Sequence, residues 1–410
     1  MKACLFFFLL GFQLYGQVTT QLEPSFFNGR RDAFRALMPK NSYAVIHANT
    51  PVKRANDFDY PFFQNPNYYY LTGIDEPNGV LFIFSTPLDG SLDYLFVSAR
   101  DPKKEMWTGR ILGMDSARAV AGITKVSTKD SLIVLQKMIS KSYFCLDSAL
   151  VINYMARLRS VKTPQEIYLI QQSIDYSIDG HLAVMNKIHP DMAEYEAQAL
   201  IEYNFKYHGA ETVAYGSIVA SGPNACTLHY DKNIRTMKDG ELLLMDCGAE
   251  YHHYCADITR TIPVNGKFNP EQLAIYNLVL AAQDSAIAVC QPGIEFASTA
   301  NMARRIIASG LKQLGIIESF AEYKKYFMHG TSHFMGLEVH DVGEKALLEV
   351  GNVITVEPGI YIPAGSPCDP KWWNIGVRLE DDILITPTGH INMSSRLPRA
   401  ADTIELLHQH

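Results

Sequence analysis

Two aspartates stand at the ends of strand-like runs. Asp246 closes ELLLMD and Asp257 opens DITRTIPV. If Gly248 to His253 turn the chain, the two lie opposite each other in an antiparallel pair, with both carboxylates on one face. Facing carboxylates repel unless a cation or a proton lies between them. Taken alone, such a pair is more simply two strand-end acids facing water. HGTSHFMGLEVHD adds His329, His333 and His340, each of which alone reads as a packed or surface histidine. VITVEPG places Glu357 at the end of a β-branched strand, and in GVRLEDD the two-residue period puts Arg378 and Glu380 on one face with Asp381 pointing away. A glutamate buried and unpaired in such a run is unfavourable. Two Asp, two Glu and one His in four strand-like contexts form a hard, oxygen-rich set. It suits Mn²⁺, Co²⁺, Fe²⁺ or Zn²⁺ in a two-ion site bridged by carboxylates. A thiolate site would need Cys, and a one-zinc hydrolase would show more His. H-E-x-x-H, G-x-S-x-G, G-x-G-x-x-G and the Walker A pattern are absent from the sequence.

The elements that must position these groups fall into a repeated grammar. Thr163, Pro164 and Glu166 read as N-cap, first helical residue and capping box. Apolar residues then recur at helical period from Ile167 to Met185, and the helix ends before Pro190. A second helix is expected from Asp191 towards Gly209. Asn269-Pro270-Glu271-Gln272 repeats the same start, its helix ends near Pro292-Gly293, and another follows to Gly315. Strand-like runs follow each helix pair: Ser217–Ala220, Glu241–Asp246 and Asp257–Pro263 after the first, Val353–Glu357, Gly359–Ile362 and Val377–Ile385 after the second. This is a diverged duplication of a helix-helix-strands unit, and a cleft between the two units is a natural site. Upstream, Tyr43–His47, Val80–Phe84 and Tyr94–Val97 have strand composition, and residues 62–79 suit loops and short strands. The fold class is α+β, with a smaller α/β domain ahead of the duplicated one. The expected division is a signal peptide at 1–16, an N-terminal domain at 17–158 and a catalytic domain at 159–410.

The chain has 410 residues, 47% hydrophobic and 19% charged, with a formal net charge of −7. These proportions exclude a disordered or fibrous chain, and no basic excess exists to attract nucleic acid or an anionic membrane. After Met1-Lys2, the uncharged run CLFFFLLGFQLY leads to Gly16. A basic start, a short apolar run and a small residue read as a signal peptide cut near Gly16–Gln17, with an uncleaved anchor as the alternative. The expected location is secreted or periplasmic, with no membrane association after cleavage. Without Cys4, six cysteines remain and no C-x-x-C pair occurs. Cys247 and Cys255 flank a turn; packing in strands is the simpler reading, and Cys247 faces away from Asp246. His252 and His253 sit in the turn between the two aspartates, and Asp381 and Asp382 are expected at the surface or in support.

MDCGAEYHHYCADITRT, HGTSHFMGLEVHDVG, TVEPGIY and GVRLEDD resemble the metal-site motifs of Xaa-Pro aminopeptidases, pita-bread metallopeptidases related to prolidase and methionine aminopeptidase. The resemblance covers about 160–400 and extends into the first domain through YPFFQNPNYYYLTGIDEPNGVLFI. It implies Asp246, Asp257, His333, Glu357 and Glu380 as metal ligands. Asp257 and Glu380 would bridge two ions, Asp246 would hold one and His333 with Glu357 the other. Manganese is the leading metal, with cobalt, zinc or iron as substitutes. A water or hydroxide between the ions would be the nucleophile and Glu357 the general base. His229 would sit beside the substrate, and His340 would contact the scissile amide or tetrahedral intermediate. His329, Arg378 and Tyr361 match supporting positions.

The implied activity is release of the first residue from peptides with proline second, by an enzyme that forms a dimer or tetramer. Prolidase, restricted to Xaa-Pro dipeptides, is the alternative. A binding protein on the same fold would have lost ligands, and here all five are present.

Overall fold

The computed structural model describes residues 22–139, 141 and 143–407. The segment expected to be a signal peptide, with Cys4, lies outside the described residues. Among those described, no helix is long and apolar enough to cross a membrane.

The first domain is built on a five-stranded sheet in the order Lys125–Thr128, Ser91–Val97, Val80–Leu88, Ser42–His47, Phe144–Cys145. The three central strands are antiparallel and the two edge strands join in parallel. Helix Pro24–Leu37 buries Phe26, Phe27 and Phe34 beside it. The stretch expected to hold loops and short strands instead contains helix Pro66–Thr72. Asn65 explains it: its side-chain oxygen accepts the N–H groups of Asn67 at 2.9 Å and Tyr68 at 3.3 Å. Pro66 suits a first turn, and Gly73 ends the helix in the left-handed region at φ 69°. The three tyrosines that resembled strand residues, Tyr68 to Tyr70, are buried helix residues.

In the second domain the capping signals place the helices. Thr163 Oγ1 accepts the Glu166 N–H and the Glu166 carboxylate accepts the Thr163 N–H, starting helix Pro164–Met185. Asn269 and Gln272 do the same for Pro270–Ala288. The partner helices are Glu194–His208 and Ser298–Gln313. The former starts three residues later than expected from Asp191. Asp191 takes φ 73°, outside helix geometry, and the free N–H of Ala193 is accepted by Glu196.

Each helix pair lies against antiparallel strands. Leu242–Asp246 is central between Ile218–Ser221 and Thr259–Pro263. Asp381–Thr386 is central between Val353–Val356 and Gly389–Asn392, and Gly359–Ile362 pairs with Ile375–Arg378. Two expectations are corrected here. The run Val377–Ile385 is two strands, with Leu379 and Glu380 between them. Asp246 pairs with Thr259, not with Asp257. The segment between the aspartates is not a plain turn but a second hairpin, Ala249–Tyr251 with Tyr254–Cys255, extended by Thr212–Val213. His252 and His253 form its two-residue turn with φ 48° and 66°, the pattern of a type I′ hairpin. Gly248 lets the chain cross over, since a Cβ there would lie 1.8 Å from the Ala256 carbonyl oxygen.

One continuous apolar core runs through both domains. Arg159 ties them further: it donates to Asn67 at 2.8 Å and pairs with Glu338 and Asp341, while Lys162 reaches Asp341 at 3.3 Å. Cys247 and Cys255 are buried as free thiols.

Candidate metal centre

Asp246 ends its strand, and Asp257 stands two residues before the paired strand begins. Though out of register, the two converge. The Tyr215 hydroxyl lies 2.6 Å from Asp246 Oδ1 and 2.6 Å from Asp257 Oδ1. Asp246 Oδ2 accepts from Arg378 at 2.5 Å, and Asp257 Oδ2 lies 3.3 Å from His333 Nε2. His333 Nε2 is also 3.6 Å from Glu357 Oε1. Glu380, in the break between its strands, accepts from Thr259 Oγ1 at 2.6 Å. Three sets of donor atoms each gather within 4.8 Å: Asp246 with Asp257 and Glu380, His333 with Glu357 and Glu380, and Asp257 with His333 and His340. The first two sets share Glu380.

The imidazoles are held in definite tautomers. His333 Nδ1 lies 3.0 Å from the Phe334 carbonyl, which can only accept, so Nδ1 carries the proton and Nε2 faces the acids. His329 Nδ1 likewise donates to the Gly330 carbonyl at 2.6 Å, leaving Nε2 to accept from Tyr361 at 2.8 Å. Arg378 donates to Tyr361 at 2.9 Å and to Thr259 Oγ1 at 3.2 Å. The His340 ring centroid is 4.1 Å from that of His333.

Electrostatics show what the cluster can hold. Burial and the neighbouring acids Asp257 and Glu357 push Glu380 well above the carboxylate range. Burial also raises Glu357, with His333 opposing and Asp257 adding to the shift. Burial alone would lower His333, but Asp257 and Glu357 outweigh it and bring it up to about 9. Burial and then Arg378 lower His329 to about 4, so that ring stays neutral. Burial and then the carboxylates raise Tyr215 well above its ordinary value, so it remains a donor. Four carboxylates and one imidazole thus crowd together with Arg378 as the adjacent fixed cation. Multivalent positive charge relieves that arrangement, and the oxygen-rich donor set fits divalent ions.

A cavity of about 640 Å³ opens onto this cluster. It is lined by Asp246, Asp257, His333, Glu357, Glu380, His229, His329, His340 and Arg378. Tyr361 is fully buried one layer back, against Arg378 and His329. Tyr215 and Thr259 were not expected; nothing in the spacing of AYGSIVA or DITRT distinguishes a tyrosine or threonine that holds a carboxylate. His252 and His253 lie elsewhere, in the hairpin turn, with His253 Nε2 3.5 Å from Asp75 and its ring over Tyr69. A surface position for Asp381 and Asp382 is corrected: both are fully buried. Asp381 pairs with Arg260 at 2.7 Å and Arg399 at 3.1 Å, and Asp382 accepts the Asp257 N–H at 3.3 Å.

Residues 169–387 match metallopeptidase family M24, and residues 27–143 match the aminopeptidase P N-terminal domain. The chain is 36% identical to an Xaa-Pro aminopeptidase of Haemophilus influenzae, over 93% of this chain and 96% of the relative. It is similar to the solved structure of Escherichia coli aminopeptidase P with the inhibitor Pro-Leu, with TM-score 0.88, 33% identity and coverage of 94% of this chain and 98% of the other. A zinc-substituted form of the Escherichia coli enzyme in complex with product gives the same TM-score, identity and coverage. The chain belongs to metallopeptidase family M24, with the aminopeptidase P N-terminal domain ahead of its catalytic domain.

Proposed function

We propose that this protein is a metal-dependent exopeptidase that releases the N-terminal residue from peptides with proline in second position. The observation that carries this reading is the pair of donor sets sharing Glu380 at the end of one cavity. Asp246, Asp257, His333, Glu357 and Glu380 would hold two divalent ions, and manganese is our leading assignment for this oxygen-rich set. Ions held there would supply Lewis acidity, lowering the pKa of a bound water and polarising the scissile carbonyl.

The chain's own groups do the rest. Glu357, whose affinity for a proton is raised by burial, takes the proton of the attacking water. His340 and His229 stand exposed on the cavity wall, where an imidazole N–H can donate to charge developing on the carbonyl oxygen. Arg378 holds Asp246 in place and, through Tyr361, orients neutral His329. Proline lacks the amide N–H, so the residue after the cut needs an apolar surface rather than an acceptor. Ile218, Leu228 and Val339 line the cavity and supply one.

Export to the periplasm or medium is part of the proposal, supported by the uncharged run from Cys4 to Tyr15. So is assembly into a dimer or tetramer, which light scattering tests. The activity itself is tested by offering metal-loaded protein matched peptides with Pro or Ala in second position. Release of the first residue from the Pro peptide alone supports the reading; equal release from both contradicts it.

A further inference from the structure

We propose that Lys345 receives the free C-terminal carboxylate of a short bound peptide, which makes short peptides with an unblocked C-terminus the favoured substrate class; this rests on the exopeptidase reading above. Two Lys or Arg side chains line the cavity among the described residues, Arg378 and Lys345. The guanidinium of Arg378 is buried and committed to Asp246, Tyr361 and Thr259. Lys345 is exposed and makes no ion pair among the described residues, and its ammonium sits 5.7 Å from the centre of the Phe296 ring.

The backbone beneath it is fixed. Phe296 N–H donates to Ala346 O at 2.9 Å and Leu348 N–H donates to Ile294 O at 2.8 Å, one on each side of a bridge between Glu295 and Leu347. Lys345 therefore projects from a tethered segment five residues after His340.

Burial sets the direction of a bound peptide. Asp246, Asp257 and Glu380 are buried at the closed end, whereas His229, His340, Asp231 and Lys345 are exposed. A free amine belongs at the acidic end, so the chain must run outward. An extended residue spans about 3.3–3.6 Å, which carries a tripeptide's carboxylate roughly 10 Å from its amine. Asp231, the other exposed charge on the lining, repels that carboxylate and leaves Lys345 as its partner.

The test compares an Xaa-Pro-Ala tripeptide with its C-terminal amide. Metal-loaded wild type is expected to favour the acid by about fivefold in kcat/KM, the upper range of a partly exposed ion pair. Lys345→Ala brings the ratio near one, Lys345→Glu inverts it, Lys345→Arg retains it, and high salt erases it. Calorimetric binding of Pro-Ala and Pro-Ala amide should show the same ratios without turnover. A wild-type ratio of one, or a ratio that survives Lys345→Ala, overturns the proposal while leaving the exopeptidase reading intact. Failure to cleave either peptide overturns that reading and the proposal with it.

Discussion

Tyr215→Phe isolates the role of one hydroxyl. The substitution removes a single oxygen and leaves the ring, which packs against Gly248, in place. In the metal-free protein the loss is small. There burial and the neighbouring acids push Glu380 well above the carboxylate range, and its carboxyl proton can bond a neighbouring carboxylate directly. The phenol is the donor that steadies one oxygen of Asp246 and of Asp257, and its hold would matter most with cations beside them. One O–H serves one carboxylate at a time, and a hydrogen bond to a charged group contributes about 1.5–3 kcal/mol. At about 1.4 kcal/mol per tenfold, that is roughly a 10- to 100-fold loss of cation affinity. The same range holds for removal of outer partners of metal ligands generally, about 10–100-fold. The assay is competition for Mn²⁺ against a fluorescent chelator, with circular dichroism as the check on folding. A folded variant whose Kd stays within about twofold of wild type would refute the reasoning, because so small a change is under a third of a tenfold step.

Two further outcomes follow from buried charge. In the metal-free protein His333 is raised to about 9, so below that pH it holds a proton that a cation must displace. Cation affinity should therefore climb as pH rises towards about 9 and level off above it. Calorimetry in two buffers of different ionisation heat should show about one proton or more released per binding event at neutral pH; heats independent of buffer would contradict this. Asp341→Ala leaves Arg159 and Lys162 buried without their shared counter-ion. That should lower stability by about 3–5 kcal/mol. The thermal midpoint should fall by about 4–6 °C, and partial recovery is expected when Asp341→Leu is combined with Lys162→Met. A midpoint unchanged by Asp341→Ala contradicts the account of this contact.

Local chemistry was readable where it acts locally. A proline after Thr163 or Asn269, with Glu or Gln three residues past the cap, specifies a helix start whatever lies around it. Strand-end acids stood out because carboxylates among β-branched residues demand partners. Pairing was not readable, because register depends on distant strands and on turns. The His252-His253 turn needs two residues at positive φ, and neither is Gly or Asn, so the hairpin left no turn signature. That hairpin shifts Asp246 onto Thr259. Asp257 still reaches the cluster because Tyr215 and the Asp382 carboxylate hold it from outside the strand ladder. Neither Tyr215 nor a buried Asp382 has a spacing that marks it. Helix Pro66–Thr72 was missed for a different reason: three consecutive tyrosines suggest a strand, and the Asn65 cap with Pro66 outweighs them.

The central claim is most directly tested by supplying purified protein loaded with Mn²⁺ with an Xaa-Pro-Xaa tripeptide and an Xaa-Pro dipeptide, before and after chelation. Release of the first residue from the tripeptide is expected, with loss of that release on chelation and its return when Mn²⁺ is restored, the dipeptide being left intact. Cleavage of the dipeptide alone would make the protein a prolidase, and cleavage of neither by protein shown to hold two ions would contradict the account altogether.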